Sequence, residues 1–290
     1  MPEYLTTREL ADLLRIGERK AYDLASSGEV PCVRAMGKLL FPKVEVVAWL
    51  NASRSGPQVA EPPLPPIVAG SHDPLLDWAL RESGSGLATY YDGSFDGLNR
   101  LSDRTAQATV LHIHEADGFN VTSVKGALGE APVILYEIAR RQRGLLLAPE
   151  TEGIQQFADL KGRRVVLRQD SAASQRLFDA QLALNDLSRD DLDTLPVCAR
   201  TEEELALALR DGKAEVGFGI GALAKFFGLG FQPTHTERLD LAIWRRAFFE
   251  TPMLTLIDFL HAPRFLQRAE ELGGYDVSGL GQIHHNGASG

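Results

Sequence analysis

The sequence is poor in the residues and segments on which several protein classes depend. It has only two cysteines in 290 residues, Cys32 and Cys198, far apart and outside any C-x-x-C pair, which excludes a disulfide framework and a cysteine zinc finger. No apolar run approaches the 18 or so residues that a transmembrane helix needs. The first ten residues, MPEYLTTREL, have neither the basic nor the apolar region of a secretory signal. We therefore expect a cytoplasmic protein without a membrane partner.

Basic residues are outnumbered, and the acidity is unevenly spread. The formal net charge is −9, with residues 1–55 at +1 and residues 56–290 at −10. Five prolines between Pro57 and Pro66 separate the two parts and are typical of a semi-rigid linker. The sequence predicts a first domain over residues 1–54, a linker over 55–67, a second domain over 68–280 and a flexible tail over 281–290.

The first domain has a helical pattern with clear start and stop signals. Thr6 followed by Glu9 forms a capping box, which predicts a helix to about Leu14. A second helix is predicted from near Glu18 to Gly28, then two short strands around Gly37 and a third helix after them. The residues expected to face inward are Leu10, Leu13, Leu14, Ala21, Tyr22, Leu24, Ala25, Trp49 and Leu50.

These features resemble the winged helix-turn-helix of the excisionase and MerR-like families over residues 4–50. The matching motifs are Thr6, Ala11–Leu14, Gly28–Pro31, the basic wing Arg34–Lys38, and Ala48–Leu50. The resemblance implies binding to operator DNA. The residues expected to meet phosphates and base edges are Arg15, Arg19, Lys20, Arg34, Lys38 and Lys43. A helical hairpin used only for dimerisation is the alternative.

Two acidic residues on the second helix, Glu18 and Asp23, weaken this basic surface. A single module is therefore expected to bind DNA weakly, and a homodimer or higher homo-oligomer to be needed at physiological salt.

The second domain alternates short apolar strands with helical segments, which is typical of an α/β fold with largely parallel strands. Serines follow three of the predicted strands, at Ser71, Ser94 and Ser171 to Ser174. Such turns expose N–H groups at helix N-termini, so serine hydroxyls there would complete an anion site. Any one of these serines is equally explained as a helix cap.

This domain resembles type 2 periplasmic binding proteins over nearly all of residues 68–280. It resembles more closely the cytoplasmic binding-protein-like domain fused to helix-turn-helix modules and to molybdopterin-biosynthesis proteins. The carrying motifs include GSHDPLLD (70–77), GSFDGLNRL (93–101), RQDSAASQRLF (168–178) and LGGYDVSG (272–279). The resemblance implies two lobes with molybdate or tungstate in the cleft. One departure is DSAAS after Arg168-Gln169, where the family turn is glycine-rich: Ala172 and Ala173 restrict backbone approach, and Asp170 adds a negative charge.

The expected ligand contacts are Ser71, Ser94, Ser171 and Ser174, with Arg168 either a charge partner of the ligand or a structural ion pair. His112 and His114 lack a third metal ligand at a telling spacing, so no metal or other cofactor is predicted. Adjacency does not give Ser71-His72-Asp73 the geometry of a catalytic triad, so no catalytic residue is predicted and the chain is expected not to be an enzyme.

The combined pattern predicts a one-component transcriptional regulator that binds operator DNA and senses a small oxyanion. Two alternatives remain open at this point. One is a regulator of the same architecture that senses a small organic anion or a cofactor precursor. The other is a molybdenum-handling or cofactor-insertion protein.

Overall fold

A computed structural model of the chain describes residues 4–35, 37–53 and 63–288. The chain forms two compact units, residues 1–62 and 63–290. Residues 55–62 of the predicted linker lie outside the described residues. No helix within the described ranges is both long and apolar enough to span a membrane.

The N-terminal unit is a three-helix domain with a small sheet. Thr6 caps the first helix as predicted, because its hydroxyl accepts from the Glu9 N–H at 3.3 Å while the Glu9 carboxylate accepts from the Thr6 N–H at 2.8 Å. The second helix ends at Gly28, whose φ of +73° suits glycine. The elements are β1 (Tyr4–Thr6), α1 (Thr7–Leu14), α2 (Glu18–Ser27), β2 (Val33–Ala35), β3 (Lys38–Pro42) and α3 (Lys43–Ala52).

The predicted wing is present as the antiparallel pair β2–β3, and β1, which was not predicted, adds a third strand beside β3. The core contains Leu10, Ala21, Ala25, Phe41 and Val46. Three inward assignments were wrong, because Leu13, Tyr22 and Leu50 are 48%, 51% and 37% exposed. The buried residues of α2 are Ala21 and Ala25, which are four positions apart and lie on one face of the helix. Tyr22 follows Ala21 directly, so its side chain points about 100° away from that face.

The C-terminal unit consists of one large sheet with helices of up to twelve residues around it. Its first half holds β4 (Ile67–Gly70), α4 (Pro74–Glu82), β5 (Ala88–Tyr91), α5 (Ser94–Ser102), β6 (Ala108–Leu111), β7 (His114–Glu115), β8 (Gly118–Phe119), α6 (Val121–Leu128) and β9 (Val133–Leu147). Its second half holds β10 (Arg164–Val166), α7 (Ala173–Leu184), β11 (Asp193–Thr194), α8 (Glu202–Arg210), β12 (Val216–Ile220), α9 (Gly221–Phe227), β13 (Gly230–Trp244), α10 (Arg245–Phe248), α11 (Thr251–Leu260), α12 (Pro263–Leu272), β14 (Tyr275–Asp276) and β15 (Ile283–Asn286).

The sheet order β11-β10-β12-β9-β13-β6-β4-β5 creates two lobes. The first lobe is built on the parallel strands β5, β4 and β6, and the second on the parallel strands β11, β10 and β12. The long strands β9 and β13 run antiparallel to each other through both lobes, since β9 pairs with β12 at its end and β13 pairs with β6 at its end. The prediction of largely parallel strands is therefore confirmed within each lobe. It is wrong for the centre of the sheet, where β9 and β13 are antiparallel.

The predicted flexible tail is also corrected. Residues Ile283–Asn286 form β15, which pairs antiparallel with the first half of β9. The His284 ring lies 2.5 Å from the buried Glu137 carboxylate, which anchors the strand. In its first half, β9 pairs with β13 along one edge, and β15 pairs with the other edge. The local sequence pattern does not reveal that this second edge is available. Residues 289–290 of the tail lie outside the described residues.

Candidate ligand and DNA sites

The predicted serines lie at the carboxyl ends of parallel strands, where open α/β sheets bind ligands. Ser71 follows β4 and Ser94 begins α5 after β5. Their hydroxyl oxygens are 2.8 Å apart, and both residues are buried. The Ser94 hydroxyl also accepts from the His112 N–H at 3.4 Å. The structure therefore brings together the two serines of the first lobe.

The second lobe approaches this pair through the turn between β10 and α7. Gly93 has a φ of +94°, and a Cβ atom on it would lie 2.5 Å from the Ser171 carbonyl oxygen and 3.2 Å from the Ala172 nitrogen. The N-termini of α5 and α7 therefore meet across the cleft. Only glycine at position 93 permits this approach.

Neither of these two helices has a side-chain cap. The N-cap residues are Gly93 for α5 and Ala172 for α7, and in the described part of the chain neither helix has a side-chain cap hydrogen bond. Ser174, in the first turn of α7, is 1% exposed, and within the described ranges its hydroxyl has no hydrogen-bond partner. Uncapped N–H groups and a free buried hydroxyl are the donors that an anion requires.

The third helix at the cleft, α4, is satisfied by its own sequence. Its N-cap Asp73 accepts from the Leu76 N–H at 2.8 Å, so a carboxylate of the protein already occupies that N-terminus. The charge of Asp170 is likewise removed from the cleft, because its side chain is 83% exposed and lies 2.9 Å from Arg189. The anion-binding ends are thus those of α5 and α7.

Arg168 makes its contacts with the protein itself. Its guanidinium lies 3.0 Å from the Glu202 carboxylate and donates to the carbonyl oxygens of Ala199 at 3.1 Å and Arg200 at 2.9 Å. Its backbone N–H donates to the Gln175 side chain. Of the two roles left open for Arg168, these contacts provide the geometry of a structural ion pair.

Two buried arginines that the sequence reasoning missed lie beside this pair. Arg141 and Arg143, on β9, donate to the Glu237 carboxylate of β13 at 2.6 and 2.8 Å. Arg141 also contacts Asp73, and Arg143 lies 3.0 Å from Glu202. The signal in the sequence is the R-x-R alternation at Arg141 and Arg143 inside the strand YEIARRQRGLLL, which ends in an apolar run. In the part of the chain that the structure describes, one terminal nitrogen of each arginine is buried and without a hydrogen-bond partner.

The ionisation of this cluster follows from its burial and its cations. Burial opposes the charged form of Glu202, but Arg143 and Arg168 outweigh it and lower the pKa of Glu202 to about 2. Burial likewise opposes the charged form of Glu237, yet Arg141 and Arg143 hold the pKa of Glu237 well below its ordinary value. Burial lowers the pKa of His112, although Glu237 lies 3.3 Å from its ring. Both carboxylates are therefore ionised and His112 is neutral at pH 7.

Polar side-chain contacts join the two lobes. Asp92 of the first lobe accepts from Gln169 at 3.0 Å and from Arg200 at 3.4 Å, both in the second lobe. His72 of the first lobe also lies 3.1 Å from Glu203 of the second lobe. Ser94 and Ser174, in the first turns of α5 and α7, are both buried.

The predicted DNA-contacting residues occupy the N-terminal unit. Arg15 ends α1, Arg19 and Lys20 lie on α2, and Arg34 and Lys38 lie on the two strands of the wing. All five are exposed, and no ion pair within the described residues engages them. Lys43, at the start of α3, is half-buried and has a partner within the protein. Glu18 and Asp23 are exposed on α2, as expected for acidic residues that dilute the basic surface.

Comparison with known proteins gives matches for both units. Residues 4–54 match the model of a helix-turn-helix domain, and residues 78–261 match that of the PBP superfamily domain. The protein YvgK of Bacillus subtilis (strain 168) is 22% identical and covers 96% of each chain. A phosphate ABC transporter substrate-binding protein with bound phosphate from Clostridium perfringens is 10% identical, with a TM-score of 0.53 over 71% of this chain and 96% of its own. The last likeness concerns the fold alone.

Proposed function

The chain belongs to the PBP superfamily and begins with a helix-turn-helix domain, and from this premise we propose that it is a ligand-responsive transcriptional regulator. The helix-turn-helix domain would bind operator DNA and the cleft a small oxyanion. The observation that carries the ligand half is the meeting of two uncapped helix N-termini beside the unpartnered, buried Ser174 hydroxyl.

An oxyanion suits this site because its donors are mostly neutral and fixed. The charged groups nearby balance one another: Arg141, Arg143 and Arg168 face Asp73, Glu202 and Glu237. A bound anion would therefore be stabilised by N–H groups, by the hydroxyls of Ser71, Ser94 and Ser174, and by the free arginine nitrogens. Selectivity would follow from the size of the cleft and the number of donors. Molybdate and tungstate are the first ligands that the family resemblance suggests.

Regulation requires that ligand and DNA affinities be linked. We propose a homodimer in the cytoplasm, in which closure of the two lobes changes the spacing or orientation of two helix-turn-helix modules. Ligand binding and operator binding would then alter each other by the same factor. The near-neutral charge of the N-terminal residues supports a dimer, because one module would make few phosphate contacts.

Calorimetric titration of the full chain tests the ligand half. Molybdate, tungstate, phosphate and sulfate are compared with small carboxylates, and we expect binding of at least one oxyanion. Ser174→Ala should weaken that binding about ten-fold, roughly the value of one buried hydrogen bond to a charged group, without loss of stability because the hydroxyl has no protein partner. The exposed Ser26→Ala is the matched control. Binding of carboxylates alone would refute the oxyanion assignment.

A mobility-shift titration with the protein's own upstream DNA, at several salt concentrations, tests the DNA half. The double variant Arg34→Ala/Lys38→Ala should weaken binding and reduce the slope of log affinity against log salt by about 0.9 for each phosphate that the variant no longer neutralises. Arg163→Ala, a cation of the C-terminal unit, is the control. The absence of any shift at low salt would contradict the regulator and leave the molybdenum-handling alternative.

A further inference from the structure

The outer face of α2 carries a carboxylate at its centre. Ala21 and Ala25 are the buried residues of this helix, so they define the side that packs on the core. Successive helical residues are rotated by about 100°, and Asp23 is therefore directed about 180° away from the middle of that side. Arg19 and Ser26 lie within about 60° of Asp23 on the same outer face. All three outer residues are exposed.

The Asp23 carboxylate has no cationic partner within the described residues, although one is within reach. Arg19 precedes it by four positions, a spacing at which helical side chains meet. The order matters, because an acid placed before its basic partner complements the helix dipole and the reverse order does not. The C-terminal unit shows both orders, at 2.7 Å for Asp77–Arg81 and 3.7 Å for Arg246–Glu250. Arg19 and Asp23 have the unfavourable order, so both charges remain available to a partner.

The position of Asp23 decides which part of a DNA duplex it would meet. The second helix of a helix-turn-helix lies in the major groove, and here that helix is α2. The centre of its outer face reaches furthest into the groove, toward the base edges, whereas its flanks meet the phosphates. Lys20, about 60° to one side of Asp23, suits such a flank. A carboxylate is repelled by phosphates, so Asp23 belongs opposite a base edge.

One base suits a carboxylate in the major groove better than the others. An ionised carboxylate only accepts hydrogen bonds. Guanine presents two acceptors there, and thymine presents an acceptor and a methyl group. Adenine places an acceptor, N7, beside its N6 donor, whereas cytosine presents its N4 amino group as a donor alone. A carboxylate at the centre of the helix face is therefore complementary to cytosine.

We propose that Asp23 is a specificity-determining residue that selects a cytosine in the operator. The inference rests on the proposed function, because it requires α2 to bind in the major groove. Asp23 then lowers the general attraction to phosphates and, in exchange, penalises every other base at its position. Arg19 lies about 6 Å from it along the helix axis, one or two base-pair steps of about 3.4 Å, where it would suit guanine O6 and N7.

The test begins with selection by the full chain from a pool of randomised duplex DNA at low salt. Mobility-shift titration of the selected duplex and its single-base variants follows. We expect one cytosine whose replacement by any other base lowers the affinity about ten-fold. Asp23→Asn should change the preference there from cytosine to adenine, because an amide donates to adenine N7 and accepts from its N6 amino group. Asp12→Asn, which removes the same charge from an exposed position of α1, should preserve the cytosine.

Both variants are expected to fold, because both side chains are exposed and neither has a hydrogen-bond partner in the described part of the chain. If Asp23→Asn and Asp12→Asn tighten binding to every sequence equally and leave the base preference unchanged, the inference is overturned and the proposed function stands. The inference also fails if the selected duplex contains no position at which cytosine is required. If no duplex is bound even at low salt, the DNA half of the proposed function is itself wrong.

Discussion

Replacement of Arg143 by methionine is expected to destabilise the C-terminal unit severely. Arg143 is fully buried and donates three hydrogen bonds, two to Glu237 at 2.8 and 2.9 Å and one to Glu202 at 3.0 Å. Methionine keeps much of the packing volume but removes the charge. Two ionised carboxylates then share fewer cations in the interior, so the free energy of unfolding should fall by about 3–5 kcal/mol.

The matched control is Arg163→Met. Arg163 makes an ion pair of similar length with Glu215, at 2.9 Å, but both side chains are a third or more exposed. Solvent screens that pair, so the expected loss is about 1 kcal/mol or less. Urea unfolding of the full chain, followed by tryptophan fluorescence, measures both, since Trp78 and Trp244 lie in the C-terminal unit. Equal losses for the two variants would show that burial does not set the value of the Arg143 contacts.

Two further predictions concern the cleft. Gly93→Ala should lower ligand affinity and melting temperature more than Gly84→Ala does. Both positions have positive φ, but of the two only Gly93 would bring the new Cβ against backbone atoms. Equal effects of the two variants in calorimetry and thermal unfolding would contradict this close approach. Stability should fall as the solution is acidified, because the unfolded chain takes up protons that the folded chain resists. His112 contributes to this loss of stability below its unfolded pKa of about 6.5, and Glu202 contributes to it between about pH 4.5 and about pH 2. In urea unfolding at a series of pH values, His112→Gln should remove the part of the pH dependence that lies at higher pH.

The N-terminal unit was predicted closely because its signals are local. The Thr6 capping box, Gly28 and the wing around Gly37 each fix the chain within a few residues. Strand β1 was missed because three residues carry no periodicity, and it exists only because β3 lies beside it.

The candidate site was predicted in part. Strand-to-helix turns predicted that Ser71 and Ser94 share one edge of the sheet, and their hydroxyls are in contact there because parallel strands present their carboxyl ends at one edge. Their role as ligand contacts stays a prediction. The arginine cluster was not predicted, because a charged residue in a strand normally indicates solvent. The burial of Arg143 depends on Glu202 and Glu237, which are 59 and 94 residues away in sequence. No local pattern reveals such compensation.

The two fifteen-residue strands β9 and β13 limit how the lobes can move. Because the lobes share these strands, opening requires a twist of a continuous backbone ladder rather than rotation about a few linker bonds. The ladder is irregular at two places, between Pro233 and His235 and between Leu239 and Asp240. Glu237, which forms buried ion pairs with Arg141 and Arg143, lies between the two irregular positions. We therefore expect deformation to occur at these two irregular positions, on either side of the buried ion pairs.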